Sequence, residues 1–327
     1  MIVSSCAVRY VFCASVLTLA FGTSPAKADV VLLLAEPYGR SAGLNPTGHV
    51  GVYLTRVCAE TPTQLRRCRE GEVGAVVSRY NKIAGLDWAA IPLVPYLYGV
   101  ERAADVPTSV TPDQVRYLRD SYRRAHLRAL IPDDVAENDR HWFQLTGAVY
   151  DRQFIAFSVR TTPEQDDHLI AELNQRDNVR RFNLFFRNCA DFARDLINDH
   201  FYPRAIRSNV IGDLGLTTPK QIAKALVKYG RRHPEAELNA YVIPQIPGNR
   251  PQSGPARGVL ESFLKVKKYS VPLAVLQPWV PVGLAAGYLG VGRFNPHRVA
   301  TGSLEPDGLE RQAQMAAAAT DLPLGQQ

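Results

Sequence analysis

The stretch Asn188-Cys189-Ala190-Asp191-Phe192-Ala193-Arg194-Asp195-Leu196-Ile197 has the pattern of a capped amphipathic helix that begins at its cysteine. Apolar side chains recur three and seven positions after the cysteine, as one face of a helix requires. Asn188 is a preferred N-cap residue, and Asp191 can accept a hydrogen bond from the cap amide. Cys189 is therefore predicted at the first helical position, where unpaired amides and the helix dipole favour a negative charge. We expect a lowered thiol pKa there, and hence a nucleophile.

The first 28 residues have the pattern of an export signal. Arg9 supplies a weak positive region, residues 11–22 form a short apolar core, and Ala26-Lys27-Ala28 matches the small-x-small cleavage pattern. A permanent membrane anchor is the alternative, although the apolar core is short for a bilayer span. We expect a mature chain that starts at Asp29 and is periplasmic or secreted.

Cleavage of this segment leaves 36 basic against 31 acidic side chains, a net charge of +5. Such a mild excess suits attraction to anionic envelope material or lipid head groups, and it equally describes an ordinary solvated surface. The arginines are scattered and no nucleic-acid-binding motif accompanies them, so we expect no nucleic-acid partner.

Three cysteines remain after cleavage, and an odd number in an exported protein predicts one pair and one free thiol. Cys58 and Cys68 flank a polar loop and are expected to form a disulfide in an oxidising compartment. Cys189 is left over. A buried and unreactive cysteine is the alternative interpretation of that residue.

Residues 29–245 have the periodicity and turn spacing of one folded domain. Strands are expected before most of the helices, which predicts an α+β fold. The expected strands cover residues 29–34, 48–54, 74–80 and 154–159, and the Thr-Pro-x-Gln sequences at Thr111, Thr162 and Thr218 each predict a helix start, with the last helix ending at Gly230.

The region beyond residue 245 divides by composition into three parts. Residues 246–270 resemble a linker, and residues 271–292 carry no charge. Three prolines interrupt that apolar segment, so packing on the domain or lying on a membrane surface competes with a membrane span. Residues 293–327 have a composition that favours disorder.

A cysteine nucleophile needs a base, and His49 is the favoured candidate. It shares one face of its expected strand with Gly51, which would let the Cys189 helix approach closely. His141 is the competing histidine. A third, orienting group is expected on the next strand, where Ser78 and Tyr80 share a face, and backbone amides at the start of the Cys189 helix would form an oxyanion hole.

Cofactor and metal motifs are missing from the sequence: there is no HExxH, paired CxxC, EF-hand loop, phosphate loop or dinucleotide fingerprint. We therefore expect no cofactor and neither a structural nor a catalytic metal ion.

The strand motif Gly48-His49-Val50-Gly51-Val52-Tyr53, followed by the Asn188-Cys189 helix start, resembles the circularly permuted branch of the NlpC-type papain-like superfamily. That branch includes envelope amidases and acyltransferases similar to lecithin:retinol acyltransferase. The resemblance implies a permuted papain-like fold, with an antiparallel sheet against the cysteine helix and inserted helices. It also implies Cys189 as nucleophile, His49 as base and a polar third residue, here Ser78. Residues 102–160 would be an insertion that forms a lid or a substrate wall.

The function expected from these features is an exported hydrolase or acyltransferase that acts through a thioester on an amide or ester bond. Its substrate would be a peptide of peptidoglycan or an acyl lipid or lipoprotein of the cell envelope, with membrane-surface contact through residues 271–292. An inactive binding or scaffolding protein on the same fold is the alternative. The sequence does not define the oligomeric state.

Overall fold

The computed structural model describes residues 29–39, 46–139, 141–179, 182–208, 213–309 and 311. The expected export signal (residues 1–28) and the end of the expected tail (residues 312–327) lie outside these residues. The chain folds around a six-stranded antiparallel sheet with helices on both faces, which confirms the α+β class.

The central sheet has the strand order β6-β5-β2-β1-β7-β8, and every neighbouring pair is antiparallel. A separate two-stranded hairpin is formed by β3 and β4. The strands are β1 (Asp29–Ala35), β2 (His49–Leu54), β3 (Val57–Thr61), β4 (Gln64–Arg67), β5 (Ala75–Ser78), β6 (Ala89–Pro92), β7 (Phe154–Arg160) and β8 (Asn239–Ile243).

Nine α-helices are found within the described ranges, joined by short 3₁₀ and π turns. They are α1 (Leu93–Tyr98), α2 (Pro112–Tyr122), α3 (Asp133–Asn138), α4 (Pro163–Gln175), α5 (Cys189–His200), α6 (Pro219–Gly230), α7 (Val259–Lys265), α8 (Lys267–Leu276) and α9 (Trp279–Gly287).

Each of the two sheet faces carries its own apolar core because side chains alternate along every strand. One face, which includes Val50 and Val52, packs against α4, α5 and α6. The other face, which includes Tyr53 and Val76, packs against α1 and against the segment between α2 and β7. Trp88 belongs to the first core, whereas Tyr96, Leu97 and Tyr98 belong to the second, so this aromatic run is core rather than an open groove.

The three Thr-Pro-x-Gln sequences begin α2, α4 and α6, as expected. Thr111 and Thr162 form complete capping boxes with the glutamines three positions later. Thr218 accepts a hydrogen bond from the Gln221 amide at 3.2 Å, and α6 ends at Gly230. Local side-chain chemistry therefore determines where these helices start.

The Cys58–Cys68 disulfide is present, which confirms the expected pairing. The segment between the two cysteines is a β-hairpin rather than the polar loop expected from composition. The hairpin packs against α4, where the Asn174 side chain bonds both the amide and the carbonyl of Leu65 at 2.8 Å. The disulfide therefore closes the base of an ordered hairpin.

The apolar segment 271–292 forms parts of two short helices, α8 and α9, and a following turn at Tyr288–Gly292. In the described part of the chain, no helix has the length and apolarity that crossing a membrane requires. Within the region 246–270, α7 contacts both α8 and α9. Beyond residue 293, His297 Nε2 lies 2.7 Å from a Glu36 carboxylate oxygen, and Leu309 is buried in the core of the Tyr53 face.

Candidate active site

The helix α5 begins at Cys189, and its N-terminus is capped as the sequence predicts. The Asn188 Oδ1 atom accepts hydrogen bonds from the amides of Ala190 (2.7 Å) and Asp191 (3.0 Å). An Asp191 carboxylate oxygen accepts from the Asn188 amide at 3.2 Å, which completes the capping box. The box holds the first turn, and with it the cysteine, in a single orientation.

The helix α5 packs on the face of β2 that carries Val50 and Val52, and not on the face that carries His49 and Gly51. The expectation that a bare Gly51 surface admits this helix is therefore wrong. A methyl group at Gly51 would meet Val76 Cγ1 at 2.8 Å, so the glycine makes room for β5 and its side chains. The physical reason for the helix position is that an amphipathic helix buries its apolar stripe against the apolar face of a strand.

The Cys189 sulfur reaches the sheet beside the first residues of β2, where β5 has already ended. The backbone amides of Val50, Cys189 and Ala190 are close enough to this sulfur to act against the rise of its pKa. Val50 directly follows His49, so the sulfur lies beside the strand segment that carries the histidine. The Cys189 side of the candidate site is thus built from one strand end and one helix start.

The expected lowering of the Cys189 pKa is wrong. Burial raises the pKa of the thiol to about 11, against the opposing effects of the three amides and of the Arg152 charge. Cys189 is 8% exposed, and desolvation penalises the thiolate more than a helix start stabilises it. The resting sulfur is therefore a neutral thiol.

His49 and Ser78 are brought together on the other face of the sheet, and their Nε2 and Oγ atoms lie 3.1 Å apart. The Ser78 hydroxyl donates its hydrogen to the Val50 carbonyl at 2.7 Å. Its oxygen is then an acceptor toward the ring, so His49 carries its hydrogen on Nε2. This tautomer leaves Nδ1 as the nitrogen that can take a proton.

The rest of the His49 environment is aromatic and cationic. The Tyr80 ring stacks on His49 with a centroid separation of 5.2 Å. Burial, with a smaller effect of the Arg152 charge, lowers the pKa of His49 to about 3. The imidazole is therefore neutral at rest, as a base must be before it accepts a proton.

An open cleft of about 1210 Å³ lies at this end of the sheet and is lined by both Cys189 and His49. Its walls include the end of β1, the start of β2 and residues 112–152, which the resemblance assigns to an insertion. Residues after β8, including Phe263 and Tyr269, form a further wall. Cys189 and His49 are each 8% exposed and lie in the wall of this cleft.

His141, the competing histidine, and Arg79, which adjoins Ser78, have different surroundings. His141 lines the cleft and bonds Asp139, with both side chains partly exposed. Arg79 pairs with buried Asp87 at 2.7 Å and lies over the Phe192 ring, on the side of the strand opposite to Ser78. Ser78 is thus the neighbouring-strand residue that bonds the His49 ring.

Arg152, which the sequence analysis does not single out, lines the cleft and affects the pKa of both Cys189 and His49. It lies two residues before β7, far along the chain from either residue. Only a tertiary structure reveals this proximity, since no local pattern marks the residue.

Two groups of side chains have metal-ligand geometry among the described residues. One consists of Cys58, Cys68 and Glu72, but its two sulfurs are bonded to each other. The other consists of His168, Glu172 and His200, none of which lines the cleft.

No family model matches the chain, and no curated protein matches it either. A crystal structure of a type VI secretion system effector, TseH, is similar to it with a TM-score of 0.30 and 15% identity. The match covers 67% of this chain and 94% of that chain. Because this TM-score is low, we base the function on the side chains of this protein alone.

Proposed function

We propose that the protein is a cysteine hydrolase or acyltransferase of the permuted NlpC-type, papain-like kind, acting on an amide or ester bond of a cell-envelope substrate. One observation carries the proposal. The sulfur at the capped start of α5 lies close to the backbone of Val50, the residue after His49; Ser78 contacts the His49 ring, and Cys189 and His49 line the same cleft.

The reaction begins from two neutral groups, so proton transfer accompanies attack rather than preceding it. The Cys189 S–H gives its proton to Nδ1 of His49 as the sulfur forms a bond to the substrate carbonyl carbon. The helix-start amide of Cys189 stabilises the resulting oxyanion. The tetrahedral intermediate then collapses, the leaving amine or alcohol takes the proton from His49, and a thioester remains.

Release of the acyl group repeats these steps with a new nucleophile. Nδ1 of His49 takes a proton from water or from an acceptor amine or alcohol, which attacks the thioester carbonyl. The Cys189 thiolate leaves and is reprotonated by His49. Water makes the protein a hydrolase, and another acceptor makes it an acyltransferase.

The test is the activity of the exported protein on purified peptidoglycan and on acyl-labelled phospholipid in parallel. We expect one substrate to be consumed, and Cys189→Ala and His49→Ala each to reduce the rate by at least about 10²-fold. His233→Ala is the matched control, because His233 is partly exposed and pairs with Glu235 outside the cleft. Undiminished activity in Cys189→Ala would refute the proposal.

An inactive envelope-binding protein is the second candidate, and the raised Cys189 pKa favours it. A protein of this kind would bind peptidoglycan or lipid without consuming it. In the same assay, wild type and Cys189→Ala would then bind equally and release no product. Trapping of an acyl-enzyme on Cys189, detected by intact-protein mass spectrometry, would exclude this candidate.

A membrane surface is the proposed location, and the α8–α9 pair supports it. Its exposed apolar side chains include Val275, Leu276 and Trp279, the last 82% exposed. Lys267 and Lys268 stand at the start of α8, where they suit anionic head groups. We expect Trp279→Ser and Leu276→Ser to reduce co-sedimentation with anionic phospholipid vesicles, whereas Tyr117→Ser, at another exposed site, should not.

A further inference from the structure

Arg152 is a buried cation in the cleft, without an acidic partner in the described part of the chain. The residue is only 6% exposed, and its Nε atom has no hydrogen-bond partner among the described residues. The preceding carboxylate, Asp151, is already bonded by Arg119 at 2.8 Å and by Asn249 at 2.7 Å. The contact that Arg152 does make is with the face of the Tyr38 ring, at 4.8 Å from the centroid.

An unpaired buried guanidinium is costly, because charges taken out of water are normally paired. The other cleft arginines show that contrast: Arg79 and Arg119 each have a buried aspartate partner. The described residues that line the cleft include five arginines and two aspartates, so their summed formal charge is positive. An anionic group that binds in the cleft would pair with the Arg152 guanidinium and offset the cost of burying its charge.

We propose that Arg152 binds a carboxylate of the substrate close to the bond that Cys189 attacks, so that the substrate is an acidic peptide. The proposal rests on the proposed function of the same cleft. The guanidinium presents its N–H groups in a fork that matches the two oxygens of a carboxylate. Because Arg152 also acts electrostatically on Cys189 and His49, the bound carboxylate would lie within the reach of both.

The test uses the charge of an alkylating reagent and needs no knowledge of the natural substrate. Iodoacetate and iodoacetamide both alkylate Cys189, but iodoacetate alone carries a carboxylate. We expect Arg152→Met to reduce the ratio of the iodoacetate rate to the iodoacetamide rate by about tenfold. That factor is the effect of losing one charge-assisted hydrogen bond. The ratio is insensitive to a changed thiol pKa, because both reagents require the same thiolate.

Two controls distinguish failure of the carboxylate site at Arg152 from failure of the proposed Cys189 nucleophile. Arg116→Met removes a cleft arginine that pairs with Asp113, and it should leave the ratio within about twofold. The thermal midpoint of Arg152→Met should be no lower than that of wild type, because the variant replaces an unpaired buried charge with an apolar side chain. An unchanged ratio in a folded Arg152→Met protein refutes the carboxylate site and leaves the nucleophile proposal intact.

A second arm identifies the anion. N-acetylglutamate should slow alkylation of wild type but not of Arg152→Met, and N-acetylglutamine should protect neither. Stronger protection by glycerol phosphate would overturn the carboxylate assignment in favour of a phosphate. If Cys189 reacts with neither reagent up to pH 10, the nucleophile proposal fails, and calorimetric titration of N-acetylglutamate into wild type and Arg152→Met then decides the Arg152 site.

A separate cluster on α4 and α5 carries a second proposal. The Nδ1 atoms of His168 and His200 lie 3.1 Å apart, and Glu172 is one helical turn after His168. A carboxylate oxygen of Glu172 lies 3.7 Å from His200 Nε2. One ligand atom from each residue lies within 4.8 Å of the other two.

We infer that these three side chains bind a zinc ion. Two nitrogens bound tetrahedrally at 2.0–2.1 Å stand about 3.3 Å apart, close to the observed nitrogen separation. Glu172 is 44% exposed, so its carboxylate can rotate toward the two imidazoles and water can complete the coordination. The ion would tie α4 to the last residue of α5, the helix that begins at Cys189.

The test is zinc titration of the full chain in competition with a chromophoric chelator. We expect one equivalent of zinc to bind. His168→Ala and Glu172→Gln should each weaken zinc binding at least about 100-fold, since loss of a residue that only contacts a metal ligand already weakens binding about 10–100-fold. Cys189→Ala and His126→Ala should bind normally; His126 is an exposed histidine paired with Glu101. Zinc should also raise the thermal midpoint of wild type but not of His168→Ala. Absence of stoichiometric binding, or binding that survives both variants, overturns the site.

Discussion

The Ser78 hydroxyl lies between the His49 ring and the Val50 carbonyl, at 3.1 Å from Nε2 and 2.7 Å from the carbonyl oxygen. One hydroxyl hydrogen cannot serve both partners. Because the carbonyl can only accept, the ring must donate, and the tautomer of His49 follows from the position of Ser78. A single serine thereby orients the ring and leaves Nδ1 as the nitrogen that can accept a proton.

The first prediction concerns Ser78. Ser78→Ala should lower the rate of substrate consumption about 10-fold to 100-fold, less than removal of the base itself, because the ring remains but loses its anchor. Ser158→Ala is the matched control, since Ser158 is a buried strand serine that donates to Asp29 at 2.6 Å. Equal rates for wild type and Ser78→Ala would show that Tyr80 stacking alone orients the ring.

The second prediction concerns the thiol. A Cys189 pKa raised to about 11 means that the thiolate fraction is small at neutral pH and grows as pH rises. Alkylation by iodoacetamide should therefore be slow at pH 7 and accelerate about tenfold per pH unit up to about pH 10. The site of labelling is checked by peptide mapping, with Cys189→Ala as the blank. A rate that is already constant between pH 6 and 8 would indicate a preformed thiolate.

The third prediction concerns acid stability. His49 has its pKa lowered to about 3 in the folded protein, from an ordinary value near 6.5. Between these values the unfolded chain binds the proton and the folded protein does not, so stability is full above pH 6.5 and falls as pH decreases. The loss between pH 6.5 and pH 5 should be about 2 kcal/mol. His49→Gln should abolish this part of the pH dependence in urea-unfolding curves, and parallel curves for wild type and variant would contradict it.

The fourth prediction concerns the cap of α5. Asn188→Ala leaves the amides of Ala190 and Asp191 without their acceptor and should lower the free energy of unfolding by about 1 kcal/mol. Asn188→Ser restores a capping oxygen and should recover most of the loss. The free energy of unfolding by urea is the measurement. If serine were no better than alanine, the cap would not be what stabilises this helix start.

Much of the fold could be predicted where the controlling interactions are local. The helix starts at Thr111, Thr162, Thr218 and Asn188 depend on side chains within three positions of the cap. The strand containing His49 follows from alternation. The strand β8 is not predictable from local sequence because its partner β7 is distant in the chain. The strands β3, β4 and β6 have near partners, but each is only four or five residues long, which leaves little room for an alternating pattern.

The candidate site divides in the same way. The proximity of Ser78 to His49 follows from two adjacent strands that share a face, and the alternating pattern indicates it. The direction of the Cys189 pKa shift does not follow from the sequence pattern. Burial is a tertiary property, and its effect on the pKa outweighs that of the helix start. The packing side of α5 differs from the expectation because the apolar stripe of the helix is buried against the valine face of β2, not against its glycine face.

The protonated state of Cys189 also affects how long the protein keeps its thiol. Oxidants and disulfides react with thiolates, so a sulfur that is 8% exposed and has a pKa near 11 reacts slowly with both. The same chain carries a Cys58–Cys68 disulfide, which persists where thiols are readily oxidised. A neutral resting thiol therefore gives chemical durability: Cys189 should resist oxidation under conditions in which Cys58 and Cys68 form their disulfide.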